Sequence, residues 1–165
     1  MFCFYLLILT VTLVSGKFLG DSCGGDYGDF KLHQYPSPLI LQEGKRWTIQ
    51  LKGEIKKAFP DEVIVEFLIK KKLDAIGYFT VPCINMIGSC SYKVTCASLD
   101  ATMGKYGDPC PALPGSFKRT FYFNVPKIPV LVGFAGKGHY SVQISIKNKV
   151  KQLLSCTKTY INVSK

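Results

Sequence analysis

Apolar and polar residues alternate with a period of two in four stretches of the chain, at residues 47–52, 63–70, 120–125 and 140–147. This period is typical of β-strands that turn one face to a shared interior. Residues 157–163 predict a further strand, and prolines and glycines separate the stretches. No window has the period of a long amphipathic helix. The pattern therefore predicts an all-β fold of about seven short strands, arranged as an immunoglobulin-like two-sheet β-sandwich.

The stretch VIVEFLI at residues 63–69 differs from the others because it is apolar on both faces except at Glu66. Such a strand is more buried than a surface strand, so we predict that it lies in the centre of a sheet.

The first residues have the composition of an export signal. Residues 2–14, FCFYLLILTVTLV, are uncharged and apolar, and Ser15, Gly16 and Lys17 follow them. The run is shorter than the about 20 residues that span a bilayer as a helix. It suits the apolar part of a secretory signal that is cleaved near Lys17. We therefore predict a signal peptide at residues 1–16 and a single domain at residues 17–165 that follows the secretory pathway.

Cleavage of this signal would remove Cys3 and leave six cysteines, which are Cys23, Cys83, Cys90, Cys96, Cys110 and Cys156. An even number of cysteines in an exported chain indicates disulfide bonds. There is no Cys-x-x-Cys pair, and the only histidines, His33 and His139, lie far in sequence from the cysteines of segment 83–96. The spacing therefore favours disulfides over a zinc site or a redox centre.

The chain is strongly basic, with 21 Lys and Arg against 11 Asp and Glu and a formal net charge of +10. Such a surface favours anionic partners, which include acidic membrane leaflets and sialylated or sulfated glycans. Nucleic acid is the poorest of these candidates for an exported protein. The alternative is that much of the charge only solvates the outer faces of strands.

The sequence offers no catalytic constellation. It has no Gly-x-Ser-x-Gly elbow, and its few acidic residues are scattered. The glycine-rich GFAGKG at residues 133–138 lacks the Lys-Ser/Thr ending of a phosphate-binding loop and precedes a predicted strand rather than a helix. We therefore expect a protein that is not an enzyme and that needs neither a metal nor another cofactor.

The segment IPVLVGFAGKG at residues 128–138 combines glycines with an apolar cluster, Val130, Leu131, Val132 and Phe134. One interpretation is a loop that touches a membrane or closes over a lipid. The other is a buried edge strand that ends at the glycines.

The cysteine-rich segments resemble a known family. VPCINMIGSCSYKVTCASLD at residues 81–100, followed by GDPCPALPGSF at 107–117, resembles the lysosomal ganglioside-activator branch of the ML family of lipid-recognition domains. The resemblance continues through GHYSVQISI at 138–146 and LLSCTKTYINV at 153–163. It covers the chain from Cys23 to the end, although residues 30–77 match mainly by pattern.

The resemblance implies a sandwich whose sheets separate around an apolar lipid cavity. It implies disulfides Cys23–Cys156 and Cys83–Cys90, which leaves Cys96 and Cys110 for a third bridge. That third pair departs from the partner choice of the family, whose activator branch has eight cysteines. The inward positions of the predicted strands are the candidates for lining the cavity: Trp47, Ile49, Leu51, Val65, Phe67, Phe121, Phe123, Tyr140, Val142 and Ile144.

The function implied by the resemblance is extraction of a ganglioside-like glycolipid from a membrane and its presentation to a lysosomal, hexosaminidase-like glycosidase. Basic residues would draw the protein to an anionic leaflet. The candidates are Lys56, Lys57, Lys70, Lys71, Lys72, Lys118 and Arg119. The alternatives are a secreted carrier of sterol, fatty acid or bacterial lipid, which acts in transport, chemosensing or defence, and an adhesion module with a solid core. Asn162 begins an Asn-Val-Ser sequon for N-glycosylation close to the end of the chain.

Overall fold

Ten β-strands run through the described part of the computed structural model, which comprises residues 20–34, 38–40, 42–74, 77–98, 110–125 and 136–164. They are β1 (Gly20–Gly24), β2 (Gly28–Gln34), β3 (Leu39–Ile40), β4 (Arg46–Ile55), β5 (Glu62–Leu73), β6 (Gly77–Thr80), β7 (Ser91–Thr95), β8 (Gly115–Asn124), β9 (Gly138–Lys147) and β10 (Leu153–Ser164). The predicted signal peptide, residues 1–16, lies outside the described residues. The described residues include no helix that is long and apolar enough to span a bilayer.

The strands form two sheets. In the larger sheet the order is β1-β10-β9-β5-β6, with β7 also paired to β5 and β3 paired in parallel to β10. The smaller sheet has the order β2-β4-β8 and is antiparallel throughout. The predicted two-sheet, all-β sandwich is therefore confirmed, with more strands than the period-two stretches alone indicated.

The two sheets meet along the β2 side of the smaller sheet and the β10 side of the larger one. The hydroxyl of Ser155 donates to the carbonyl of Gly28 (2.7 Å), and the hydroxyl of Thr157 donates to the carbonyl of Phe30 (2.6 Å). These residues of β10 are buried. Because buried hydroxyls that bond to backbone carbonyls fix a close approach, β2 and β10 define the side at which the sandwich is closed.

Three disulfides fasten the fold. The structure has the pairs Cys23–Cys156, Cys83–Cys90 and Cys96–Cys110, with sequence separations of 133, 7 and 14 residues. The first joins β1 to β10 on the closed side of the sandwich. The second closes a tight turn in which Gly88 has φ = 113° and lies so close to the carbonyl of Pro82 that a Cβ atom would be 2.0 Å from its oxygen. That turn therefore requires glycine.

Two buried apolar clusters lie at opposite ends of the sandwich. The first cluster contains Leu39, Val81, Tyr140 and Val163, with Trp47 packed against it. The second contains Ile55, Phe59 and Leu154, together with partly buried Phe30 and Ile146. Each cluster combines residues of both sheets, so the sheets are packed against each other at both ends.

Candidate functional site

The strand register identifies the side chains that face the space between the sheets. On β4, Trp47 and Ile55 belong to the two end clusters, so Ile49 and Leu51, which alternate with the same period, share their face. On β9, Tyr140 and Ile146 belong to the end clusters, so Val142 and Ile144 lie on the inward face between them.

The inward face of β5 follows from its pairing with β9, in which Val65 is opposite Ile146 and Phe67 is opposite Ile144. Six apolar residues thus lie midway between the end clusters. We call them the central apolar patch: Ile49, Leu51, Val65, Phe67, Val142 and Ile144.

The central apolar patch is only half-buried, although it lies on the middle strands of the sheets. In contrast, Tyr140, Val163 and Leu154 in the end clusters have exposed fractions of 5%, 6% and 1%. A sandwich with a solid core buries the middle of its central strands at least as well as the ends. On β10, Thr157 and Thr159 are buried at mid-strand, opposite Ile144 and Val142. The pattern of burial therefore indicates that, away from β10, the middle of the inward face is less covered than the most buried residues of the end clusters.

Strand β5 shows the same effect along its whole length. It is central, since it pairs with β9 on one side and with β6 and β7 on the other, as its apolar sequence predicted. Nevertheless, every residue of β5 is partly exposed except Lys72, which is exposed. The close contacts between the sheets are made by β10 and β2 rather than by β5, which leaves the inward face of β5 less covered.

The other predicted cavity residues divide into two groups. Trp47 and Tyr140 belong to the first end cluster; the Trp47 indole donates to the carbonyl of Ile40 (2.9 Å), and the Tyr140 hydroxyl donates to the carbonyl of Gly136 (2.5 Å). Burial raises the pKa of Tyr140, so its hydroxyl stays protonated. Phe121 and Phe123 pair in register with Ile49 and Trp47, and their side chains lie outside the described part.

Tyr92 is an inward residue that the sequence interpretation missed. It pairs with Val65 between β7 and β5, and its ring meets the ring of Phe67 edge to face with 5.7 Å between centroids. The short alternation in SYKVT at residues 91–95 was the available signal, but it lies among the cysteines and resembles a connecting segment.

The predicted rim residues Val130, Leu131, Val132 and Phe134 lie outside the described residues. In the sequence their segment follows β8 and precedes β9. Three cations lie near the described residues that flank this segment. The carbonyl of Lys45 accepts from the Val125 amide, and Arg46 pairs in register with Asn124. Lys71 lies opposite Tyr140, with its ammonium 5.7 Å from the ring centroid. This end of the sandwich therefore combines positive charge with an apolar cluster.

The basic residues that the sequence grouped together do not share one surface. Lys56 and Lys57 pair with Asp29 and Asp26. Lys118 lies on the outer face of the smaller sheet, whereas Arg119 pairs in register with Leu51 on the inward face. The alternation of strand side chains separates these two neighbours.

A shallow groove of about 490 Å³ lies on the outer face of the larger sheet and is a different feature. Its lining includes Glu66, Leu68, Gln143 and Ser145, which the register places on the face opposite the central apolar patch. Its lining mixes polar and apolar side chains and also includes Phe67. Lys147 pairs with Glu66 inside it (2.5 Å). The groove lies outside the space between the two sheets.

Ion pairs on the surface predict how stability responds to acid. Hydrogen bonds from Lys57, Lys56 and Lys93 lower the pKa of Asp26, Asp29 and Glu62, respectively. A carboxylate with a lowered pKa stabilises the fold above its unfolded pKa of about 4, and this contribution is lost as the pH falls through the folded pKa. His139 is exposed. We therefore expect little change in stability between pH 7 and pH 5.

Thermal unfolding followed by circular dichroism tests this prediction. The Tm should change by no more than about 3 °C between pH 7 and pH 5, and it should fall below pH 4. In the variant Asp26→Asn/Asp29→Asn the fall below pH 4 should be smaller, because two of the titrating carboxylates are absent. A large fall between pH 7 and pH 5 would contradict the assignment.

These features define a β-sandwich that is stapled by disulfides and has a half-buried apolar patch between sheets that are packed at their ends. A family model described as the ML domain matches residues 21–163. The chain therefore belongs to the ML-domain family of lipid-binding proteins, in agreement with the resemblance found in the sequence.

Known proteins agree with this assignment. The chain is 27% identical over 159 residues to the ganglioside GM2 activator of Mus musculus, with 87% of this chain and 80% of that protein covered. It is 27% identical over 160 residues to the ganglioside GM2 activator of Macaca fascicularis, with 87% and 81% covered. The fold is similar to the crystal structure of a Niemann-Pick type C2 protein from the Japanese carpenter ant, with a TM-score of 0.50, 13% identity, 89% of this chain covered and 100% of that chain.

Proposed function

We propose that this protein extracts glycolipids of the ganglioside type from membranes and presents their sugars to a glycosidase, without being an enzyme itself. The observation that carries the proposal is the half-buried central apolar patch between two packed ends. The similarity to ganglioside GM2 activators supports the choice of lipid class. The three disulfides are typical of the oxidising secretory pathway and suit either secretion or a lysosomal location.

The energetics of lipid extraction require an enclosed apolar space. The two tails of a ceramide have roughly thirty methylene groups, and exposing each to water costs about 0.8 kcal/mol, or about 24 kcal/mol in total. A shallow surface patch cannot offset this cost. The proposed binding mode places the tails against the central apolar patch and leaves the sugars outside, where a hexosaminidase-like enzyme reaches them.

Membrane contact is assigned to the end of the sandwich that carries the first cluster. Lys45, Arg46 and Lys71 lie at this end and would be attracted to anionic lipids, each by about 1 kcal/mol near the surface. In this proposal Leu131 and Phe134, which belong to the segment between β8 and β9, enter the lipid interface.

The double variant Leu131→Ser/Phe134→Ser tests the membrane contact. Binding to vesicles that contain phosphatidylserine and a ganglioside should fall at least about tenfold, because the loss of two buried apolar side chains exceeds 1.4 kcal/mol. Ganglioside extraction should fall with it, while the Tm stays within about 3 °C of the original protein. Co-sedimentation and thermal unfolding provide the two measurements.

A matched control is Leu113→Ser/Val150→Ser, which removes apolar side chains with exposed fractions of 54% and 82% elsewhere on the surface. This control should bind vesicles like the original protein. If the Leu131/Phe134 variant loses stability in proportion to its loss of binding, the segment is part of the core and the proposed membrane contact is wrong.

A further inference from the structure

The outer face of the smaller sheet carries three lysines in one cross-strand row. Lys31 of β2 pairs in register with Lys52 of β4, and Lys52 pairs in register with Lys118 of β8. Neighbouring strands are about 4.8 Å apart, so the three Cβ atoms lie within roughly 10 Å of one another. We call Lys31, Lys52 and Lys118 the lysine row.

The lysine row faces away from the other sheet. Phe30, Gly53 and Phe117 occupy the preceding register positions, and the rings of Phe30 and Phe117 meet edge to face on the inward side with 5.9 Å between centroids. The adjacent residues Lys31, Lys52 and Lys118 therefore point outward. Lys31 and Lys118 are exposed, and Lys52 is partly exposed.

Like charges directly opposite one another destabilise a sheet. Within the described part of the chain, none of the three lysines forms an ion pair. The neighbouring outward row on the side of Ile55 contains Asp29 and Glu54; Lys56 holds Asp29 at 2.5 Å, and Lys31 is attracted to it at longer range. The lysine row is thus a concentrated positive charge whose repulsion an anionic ligand would relieve.

The remaining outward positions have the chemistry of a carbohydrate surface. The row next to the lysines holds Gln50 and Thr120, whose side chains are hydrogen-bonded to each other (3.2 Å). Farther along β8 lies Tyr122, which is 53% exposed, with the guanidinium of Arg46 4.5 Å from its ring centroid. Amide and hydroxyl groups bond to sugar hydroxyls, and an exposed ring offers a flat apolar face to a sugar ring.

A bilayer fits this face less well. The described outward residues of β2, β4 and β8 include no aliphatic side chain that could enter a lipid interface. Lys52 is six residues from Arg46 along β4, or about 20 Å from the end of the sandwich that is assigned to the membrane. The lysine row therefore stays accessible while that end contacts a bilayer.

We propose that the outer face of the β2-β4-β8 sheet is a binding surface for an acidic glycan, in which the lysine row binds sulfate or carboxylate groups and the strip from Gln50 to Tyr122 binds the sugar rings. This surface is separate from the space between the sheets. It would hold the protein on sulfated or acidic polysaccharides outside the cell or in the endocytic pathway.

Heparin is the probe that tests this surface. The affinity of the full mature chain for heparin in 0.1 M salt should fall roughly fivefold for each lysine replaced and about a hundredfold in Lys31→Gln/Lys52→Gln/Lys118→Gln. The matched control is Lys70→Gln/Lys72→Gln/Lys158→Gln, which removes the same charge from the outer face of the larger sheet. The control should lose less than about fivefold.

Three results would overturn the proposal. One is unchanged heparin affinity in the lysine-row variant, and another is an equal loss in the control, which would indicate a general effect of net charge. The third is a loss of binding to phosphatidylserine vesicles as large as the loss of binding to heparin, which would make the face a membrane surface. Neutralising the row removes repulsion between the lysines but also the attraction of Lys31 to Asp29, so the Tm of the lysine-row variant should stay within about 3 °C of the original protein. The single variant Lys118→Gln repeats the binding test with the smallest change to the sheet.

Discussion

Replacing Val142 with tryptophan is expected to lower lipid uptake at least about tenfold and to change the free energy of unfolding by less than about 1 kcal/mol. Val142 lies on the inward face of β9, opposite Thr159 of β10 and Ile69 of β5, and it is half-buried. If the space in front of it is open to lipid tails, an indole occupies that space without forcing its neighbours apart. The same indole then blocks the tails.

The matched variant is Val163→Trp. Val163 lies on the same face of the neighbouring strand β10, but only 6% of it is exposed, and it packs against Leu39, Val81 and Tyr140. Adding volume to a filled site costs about 1–3 kcal/mol or more. Displacement of a fluorescent lipid measures uptake, and denaturant unfolding measures stability. If Val142→Trp destabilises the protein as much as Val163→Trp does, the interior at Val142 is solid and the proposed site is wrong.

Removing the disulfide between Cys23 and Cys156 is expected to lower the free energy of unfolding by about 5 kcal/mol, the largest loss among the three bridges. In the chain-entropy model the stabilisation grows with the length of the closed loop, and this bridge spans 133 residues. The same model gives about 3 kcal/mol for Cys96–Cys110 and about 2.5 kcal/mol for Cys83–Cys90, with separations of 14 and 7 residues.

Paired replacements by alanine, measured by denaturant unfolding at pH 7, test this order. The variant Cys23→Ala/Cys156→Ala should be the least stable, and Cys83→Ala/Cys90→Ala should be the most stable of the three. The long bridge also lies on the side where β10 approaches β2, so its loss should weaken the closed edge of the sandwich. Equal losses for all three pairs would show that loop length does not determine their contributions.

The strands with regular alternation were predictable from sequence because one buried face imposes a period of two. The stretches at residues 47–52, 63–70, 120–125 and 140–147 correspond to β4, β5, β8 and β9, and the apolar sequence of β5 correctly predicted a central position. The two-residue β3 was not predictable, since Leu39 and Ile40 form a strand only through their parallel pairing with the distant Val163 and Ser164.

The sequence predicted which strand faces carry the candidate site, but it did not predict how its residues pack. Alternation placed Trp47, Ile49 and Leu51 on one face, and the structure agrees. It could not tell that Trp47 packs against an end cluster whereas Ile49 and Leu51 belong to neither cluster, because packing depends on how the two sheets approach each other. The lysine row also depends on register between three strands, which local sequence does not specify.

Native mass spectrometry of the protein purified from its own host is the most direct test for a lipid between the sheets. We expect a complex of one protein with one two-chain lipid, and the variant Val142→Trp should not carry the lipid. A bound sterol or single-chain lipid would support a lipid-binding space between the sheets but would contradict the glycolipid as its ligand. A protein that carries no lipid and takes up none from vesicles would contradict the account, since a solid-core sandwich would then be the correct description.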